Sequence, residues 1–291
     1  MDVVLEGFDP NETAAALFAE KDGRWTVELT FSHRPDAAAL RDIVARVAGK
    51  AAARTLTFTT VKPRDWIAAS LAGLRPVTAG RFVIHGRHDR AHIAPSRIAV
   101  EIEAALAFGT GHHATTRGCL LALDALAKRR PALRARVLDL GTGSGVLAIA
   151  AAKALRRAVV ASDIDRTAVM TARANARLNG VAPLIETVYA AGVAAPRLRA
   201  RTPYDVVFAN ILLAPLKRLA RPIARGLAKD ARVILSGLLT REANAALASY
   251  RAQGLALERR IGLDGWTTLV LARSRRNPQA MSPPRRAKST I

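Results

Sequence analysis

The chain has 291 residues, half of them hydrophobic, with 45 Lys and Arg against 23 Asp and Glu and a formal net charge of +22. That length holds one large and one small domain with a sizeable core, and an aromatic share of only 4% leaves the core mainly to Ala, Leu, Val and Ile. The single cysteine, Cys119, excludes an internal disulfide or a multi-cysteine metal site, no apolar run reaches the ~18 residues of a membrane span, and the acidic, soon-broken start Met1-Asp2-Val3-Val4-Leu5-Glu6 does not read as a signal peptide. A cytoplasmic protein with no membrane partner is expected.

In chain order, residues 1–62 read as a small α+β domain: strand 3–6, helix 12–20, strand 25–32, helix 37–48 and strand 55–61. Alternation of Trp25, Val27, Leu29 and Phe31 is the period-two signal of a half-buried strand. Pro35-Asp36 offers a helix entry and Gly49 a helix stop. With no nucleotide signature, this domain is assigned partner binding. Residues 63–96, rich in Gly, Pro and His, read as a linker with a short helix near 65–72. Residues 97–273 alternate strands and helices, and the acid-free, basic residues 274–291 are expected to form a disordered tail.

The most informative stretch is Val137-Leu138-Asp139-Leu140-Gly141-Thr142-Gly143-Ser144-Gly145, followed by an apolar helix at 146–155 and a strand at 159–163. A strand, a glycine turn, a helix and a second strand ending in an acid is how an open α/β sheet holds a nucleoside-like cofactor. Gly141, Gly143 and Gly145 allow the backbone to approach a ligand, and Asp163, eighteen residues beyond Gly145, is placed to accept hydrogen bonds from ribose hydroxyls. The dinucleotide fingerprint wants a glycine at its sixth position, where this chain has Val146. The pattern resembles instead the first motif of class I S-adenosylmethionine-dependent methyltransferases.

Beyond Asp163 the sequence predicts helix 167–179 closed by Asn179-Gly180, strand 185–189, strand 204–209, helix 213–227, strand 232–236, helix 242–253, and strands 255–261 and 266–271. The last two are close enough to pair antiparallel, which gives a mostly parallel seven-stranded sheet ending in a hairpin.

Two clusters narrow the chemistry. Ala107-Phe108-Gly109-Thr110-Gly111-His112-His113-Ala114-Thr115-Thr116-Arg117 precedes a helix and reads as a lid over the cofactor, with Thr115 and Thr116 supplying hydroxyls. His112-His113 makes a poor metal site, because adjacent side chains do not converge and no Cys or acid cluster accompanies them. Ala209-Asn210-Ile211-Leu212 ends the fourth strand, where methyltransferases acting on nitrogen often carry Asn-Pro-Pro-aromatic. Asn210 would accept a hydrogen bond from the substrate NH, while the aromatic face that stacks on a flat base is missing.

In order, the lid 108–116, the turn 139–145, Asn210-Ile211-Leu212 with Pro215-Leu216, and Leu235-Ser236-Gly237 are similar to the bacterial ribosomal protein L11 methyltransferase (PrmA) family. The likeness is strong from about residue 97 to 271. It implies a Rossmann-like seven-stranded class I methyltransferase domain of α/β class behind a small α+β substrate-binding domain. It also implies S-adenosyl-L-methionine as cofactor and N-methylation of lysine side chains and the α-amine of the large-subunit ribosomal protein L11. Carried onto this chain, cofactor contacts fall on Thr116, Gly141, Gly143, Asp163 and Asn210, with Asn210 also orienting the amine. The chain departs in having His113-Ala114 where many relatives have His-Pro. Tyr189-Ala190-Ala191-Gly192 also lacks the acid that often holds adenine.

The charge has two readings of equal weight, attraction to ribosomal RNA or an Arg-biased composition. A ribosomal RNA methyltransferase, or a non-enzymatic RNA-binding assembly factor on a cofactor fold, are therefore the rival functions.

Overall fold

The computed structural model describes residues 13–19, 25–31, 34–60, 76–102, 112–129 and 135–273, in two compact units, Met1–Trp66 and Ile67–Ile291. In the first unit, β1 (Thr13–Ala19) and β2 (Trp25–Phe31) pair antiparallel from Thr13 opposite Phe31 to Ala19 opposite Trp25. The Ala-rich segment expected as a helix is therefore a strand. A helix of nine residues is marginal alone, and cross-strand pairing satisfies the same backbone groups. The period-two reading of β2 holds for its backbone, though Leu29 and Phe31 are half-buried while Val27 is exposed.

α1 (Ala37–Arg54) starts at Asp36, whose carboxylate accepts the N–H groups of Ala38 and Ala39. It breaks at Gly49 (φ +89°), as the sequence suggests, then resumes for another turn. Residues 55–60 form no strand; Thr55 instead closes α1 through its N–H and hydroxyl on the Ala52 carbonyl. The expected strand at 3–6, the helix near 65–72 and the tail 274–291 lie outside the described residues.

The second unit opens with β3 (Val77–Ala79), β4 (Phe82–His85) and β5 (Ile98–Glu101), a three-stranded sheet with β3–β4 antiparallel and β4–β5 parallel. Phe82, Ile84 and Val100 join one core with Cys119, Leu120 and Leu123 of α2 (His112–Arg129). Much of the stretch read as linker is thus part of this unit, anchored by the Arg81 Nε to Asp124 Oδ1 ion pair at 2.6 Å. Gly- and Pro-rich turns between β3, β4 and β5 masked three- and four-residue strands that have no room for a periodic signal.

The main sheet has seven strands: β6 (Val137–Leu140), β7 (Val159–Asp163), β8 (Ile185–Tyr189), β9 (Tyr204–Asn210), β10 (Leu227–Leu239), β11 (Leu255–Leu263) and β12 (Trp266–Arg273). Their order is β11-β12-β10-β9-β6-β7-β8, parallel except for β12, which pairs antiparallel with both β10 and β11. The expected architecture is present, with β10 longer than the five residues foreseen. Between the strands run α3 (Val146–Leu155), α4 (Arg166–Leu178), the short α5 (Pro196–Arg199), α6 (Leu213–Arg225) and α7 (Ala243–Arg251).

Alternation along the strands divides the core in two. Val137, Val159, Ala161, Phe208 and Ile234 face α2 and α3, while Leu138, Leu140, Val207, Ala209 and Leu235 face α6 and α7. α3 is apolar on nearly every side because it is enclosed, with Val146 to Ala152 all buried. α4 instead starts at a capping Asp165, whose side chain accepts the Thr167 N–H at 2.8 Å. This layering leaves the carboxyl ends of β6, β7, β9 and β10 open to a ligand.

Candidate active site

The glycine turn is held from beneath by Asp139, only 1% exposed. Its carboxylate accepts the Thr142 hydroxyl at 2.6 Å and the Ala148 N–H at 3.1 Å, which ties the turn to the first turn of α3. Burial pushes the Asp139 carboxyl up to about 6, opposed by those two hydrogen bonds and reinforced by the charge of Asp163. From behind, Asn175 of α4 donates to the Ser144 carbonyl at 2.9 Å.

Asp163 stands at the end of β7 and receives the Gly143 N–H on Oδ2 at 2.9 Å and the Asp165 N–H on Oδ1 at 3.1 Å. Each oxygen keeps a further lone pair. Gly143 has φ +53°, and a Cβ built there would meet nothing within 4 Å, so the turn looks onto open space. Gly141 lies against Ile211, whose Cγ2 stands 2.5 Å from where a Cβ would be. The turn from β6 therefore touches the loop that follows β9.

Asn210 is the last residue of β9, just before that loop. Its Nδ2 donates to Thr116 Oγ1 at 3.5 Å. Thr115 and Thr116 occupy the first turn of α2 rather than the lid itself, and residues 103–111 lie outside the described residues. The structure thus brings Thr116, Gly141, Gly143, Asp163 and Asn210 to one end of the sheet.

Sequence reasoning missed what lies under Asn210. Asn210 pairs with Ser236 of β10. The Ser236 hydroxyl donates to the Thr115 carbonyl at 3.1 Å and accepts from Thr268 Oγ1 of β12 at 2.8 Å. All three residues are buried. One position on, β10 bulges at Gly237 (φ +77°), where a Cβ would meet the Ile211 carbonyl oxygen at 2.6 Å and its carbonyl carbon at 2.9 Å. Only the run Ser236-Gly237 signals this in sequence, and its partners are some thirty and over a hundred residues away, beyond any local pattern.

Two apolar or aromatic groups flank the open side. Ile164, immediately after Asp163, is 69% exposed, and Tyr189 at the end of β8 lies under the Arg166 guanidinium, 4.7 Å from its ring centroid. The Ala190 N–H is committed to the Asp163 carbonyl at 2.8 Å. Cys119 is fully buried, and burial pushes its thiol up to about 12, so it is a core residue rather than a nucleophile.

A model of the "Ribosomal protein L11 methyltransferase (PrmA)" family matches residues 8–274. This chain belongs to that family. It is 53% identical over 273 residues to a ribosomal protein L11 methyltransferase of Rhodopseudomonas palustris, covering 94% of this chain and 92% of that one. A protein of the same name from Bradyrhizobium diazoefficiens is 55% identical over 272 residues, covering 93% and 91%. Among solved structures, a ribosomal protein L11 methylase from Lactobacillus delbrueckii subsp. bulgaricus superposes with a TM-score of 0.60 at 25% identity, over 69% of this chain and 99% of that one. The PrmA-family likeness read from the lid, turn, Asn210 and Ser236-Gly237 is therefore a family relation over nearly the whole chain.

Proposed function

We propose that this protein transfers methyl groups from S-adenosyl-L-methionine to amino groups, lysine side chains and the α-amine, of ribosomal protein L11. The observation that carries the reading is the convergence of the glycine turn and Asp163 with an asparagine at the end of β9. The open space before Gly143 and the spare lone pairs of Asp163 suit a ribose diol. Ile164 and Tyr189 offer apolar and aromatic flanks for a purine. Thr116, Gly141, Gly143, Asp163 and Asn210 would hold the donor. When bound, S-adenosylmethionine supplies an electrophilic methyl on a cationic sulfur.

The protein's own part is placement. With Nδ2 of Asn210 turned to Thr116, its Oδ1 is left to accept from the substrate amine and aim the nitrogen lone pair. A lysine of ordinary pKa about 10.4 must lose a proton before it attacks. Partial desolvation beside a positive charge favours the neutral amine. Asp139 is sealed under the turn by Thr142 and Ala148 and does not face the substrate, so the proton leaves to water. A second transfer asks that the amine turn on Asn210 and that the spent donor be exchanged for fresh S-adenosylmethionine. The small N-terminal domain binds the substrate protein, the basic surface contacts ribosomal RNA, and the protein works in the cytoplasm. Among the described residues no helix is long and apolar enough to cross a membrane.

The test is transfer of labelled methyl to purified L11 and, separately, to ribosomal RNA. Label in L11 that disappears in Asp163→Ala is the expected result. Label in RNA would move the answer to an RNA methyltransferase, and no label together with no donor binding would leave only a binding protein.

A further inference from the structure

α6 leaves the candidate site directly, starting three residues after Asn210. Its inner face, Leu216, Ala220, Ile223 and Ala224, is buried against the sheet. Its outer face carries Lys217, Arg218, Arg221 and Arg225, all exposed, and the helix contains no acid. At 3.6 residues per turn these four cations fall within a sector of about 100° and span roughly 12 Å of helix.

Several arginines elsewhere on this unit are engaged at home, while others, such as Arg177, Arg251 and Arg259, are single exposed cations on separate elements. Arg90 holds Glu101, Arg81 holds Asp124, Arg201 holds Glu186, Arg232 holds Glu258, Arg166 covers Tyr189 and Arg173 donates to Thr187. None of the four cations of α6 makes an ion pair or side-chain hydrogen bond with any described residue. A composition rich in arginine explains many cations. It does not explain why those of one helix, beside the site, are gathered on one face with no counter-charge.

We infer that the outer face of α6 is a docking surface for the phosphodiester backbone of RNA. Phosphates recur at short intervals along a nucleic acid strand, so four cations spread over roughly 12 Å of one helix face can each reach one. Three of the four are arginines, whose planar fork matches phosphate oxygens. Exposed carboxylates on a protein partner are seldom spaced so regularly, which favours RNA over an acidic polypeptide. This surface rests on the RNA contact proposed above and gives it a location, and its assay registers RNA affinity whether or not methyl transfer takes place.

The experiment follows binding of a fluorescein-labelled mixed-sequence RNA 16-mer to the full chain by anisotropy across a salt series. Lys217→Gln/Arg218→Gln/Arg221→Gln/Arg225→Gln is set against a control that removes the same charge from scattered exposed positions, Arg46→Gln/Arg177→Gln/Arg251→Gln/Arg259→Gln. Both keep residues 274–291, so the basic tail cancels, and thermal unfolding checks that both fold. The α6 variant is expected to weaken binding at least about tenfold at about 0.1 M salt and to flatten the log–log salt slope by about 3, four contacts at about 0.7 each. The control is expected to change affinity less than about threefold and the slope by less than about 1. Equal losses in the two variants would overturn the proposal in favour of diffuse charge. So would a polyglutamate peptide of equal charge that binds as tightly as the RNA, which would make the partner an acidic protein.

Discussion

The two halves of the candidate site are built differently. The turn half, Asp139 to Gly145 with Asp163, comes from two neighbouring strands, and its bonds run over short loops: Thr142 to Asp139, Ala148 to Asp139, Gly143 to Asp163. The amine half draws Asn210 from β9 and Ile211 from the loop after it, Ser236 and Gly237 from β10, Thr268 from β12, and Thr115 and Thr116 from α2. A contiguous half can keep its shape with a few local hydrogen bonds. An assembled half depends on each segment arriving in register, so its most sensitive residues need not be the ones that touch substrate. The two halves should therefore fail in different ways, the first through donor affinity and the second through turnover.

Gly237→Ala is the sharpest way to break the amine half. The new methyl would press on backbone atoms of Ile211, which cannot swing aside as a side chain tip would, at a φ of +77° that L-residues rarely adopt. The Asn210 loop must shift, and a misplacement near 1 Å can cost about 100-fold in rate. The expected result is a fall in kcat of about that size with donor affinity kept within a few-fold, read by steady-state methyl transfer and calorimetry. Loss of donor binding with intact turnover would reverse the assignment of the halves.

This contrast also explains what the sequence disclosed. The strands and helices from Val137 to Arg273 are legible because parallel strands buried on both faces read as apolar runs, as Val137-Leu138 and Val159-Val160 do. Gly141, Gly143 and Asp163 are legible because they lie close together in the chain. The bond from Ser236 to Thr115 joins residues 121 positions apart, and nothing local marks it. In the first unit, the Ala-rich segment Thr13–Ala19 carries helical propensity, and only its pairing with Trp25–Phe31 makes it a strand.

The turn half offers a pH test. Asp139 is raised from an ordinary 3.8 to about 6, chiefly by burial. The folded state then binds more protons than the unfolded state between those values, so this group's contribution is full below about pH 4 and is lost as pH rises through 6. Asp139→Asn keeps an oxygen for the Ala148 N–H and carries no charge. The stability of the wild type relative to this variant should fall by about 2 to 3 kcal/mol between about pH 4 and pH 7, given about 1.4 kcal/mol per pK unit. Urea unfolding at several pH values reads it. A flat difference would mean the carboxyl is not held protonated in the fold.

A smaller effect is expected from Ser236→Ala. The substitution removes the donor to the Thr115 carbonyl and strands the Thr268 hydroxyl in the core, a loss of order 1 to 3 kcal/mol in stability. If these hydroxyls hold the first turn of α2 so that Thr116 meets Asn210, kcat drops about tenfold, the size expected when orientation worth about 1.4 kcal/mol is lost. Asp163→Ala should do the converse and raise the donor Kd about tenfold or more, since hydrogen bonds to a charged group are worth about 1.5 to 3 kcal/mol. Measuring kcat and donor Kd for both variants sets the two halves side by side, and equal effects on both parameters would dissolve the distinction.

The finest probe is Cys119, fully buried one helical turn below Thr115 and Thr116. Burial keeps it a neutral thiol up to about pH 12, and thiolate is the reactive form. In the folded protein at about pH 8, alkylation should lag the urea-unfolded rate by at least about 100-fold, because the side chain must be uncovered before it can ionise. Ser236→Ala should raise that native-state rate only a few-fold if β10 and β12 still cover the helix. A rise to the unfolded rate with global stability retained would mean the amine half opens as a unit. Asn210 would then be held by a local equilibrium rather than by a fixed scaffold.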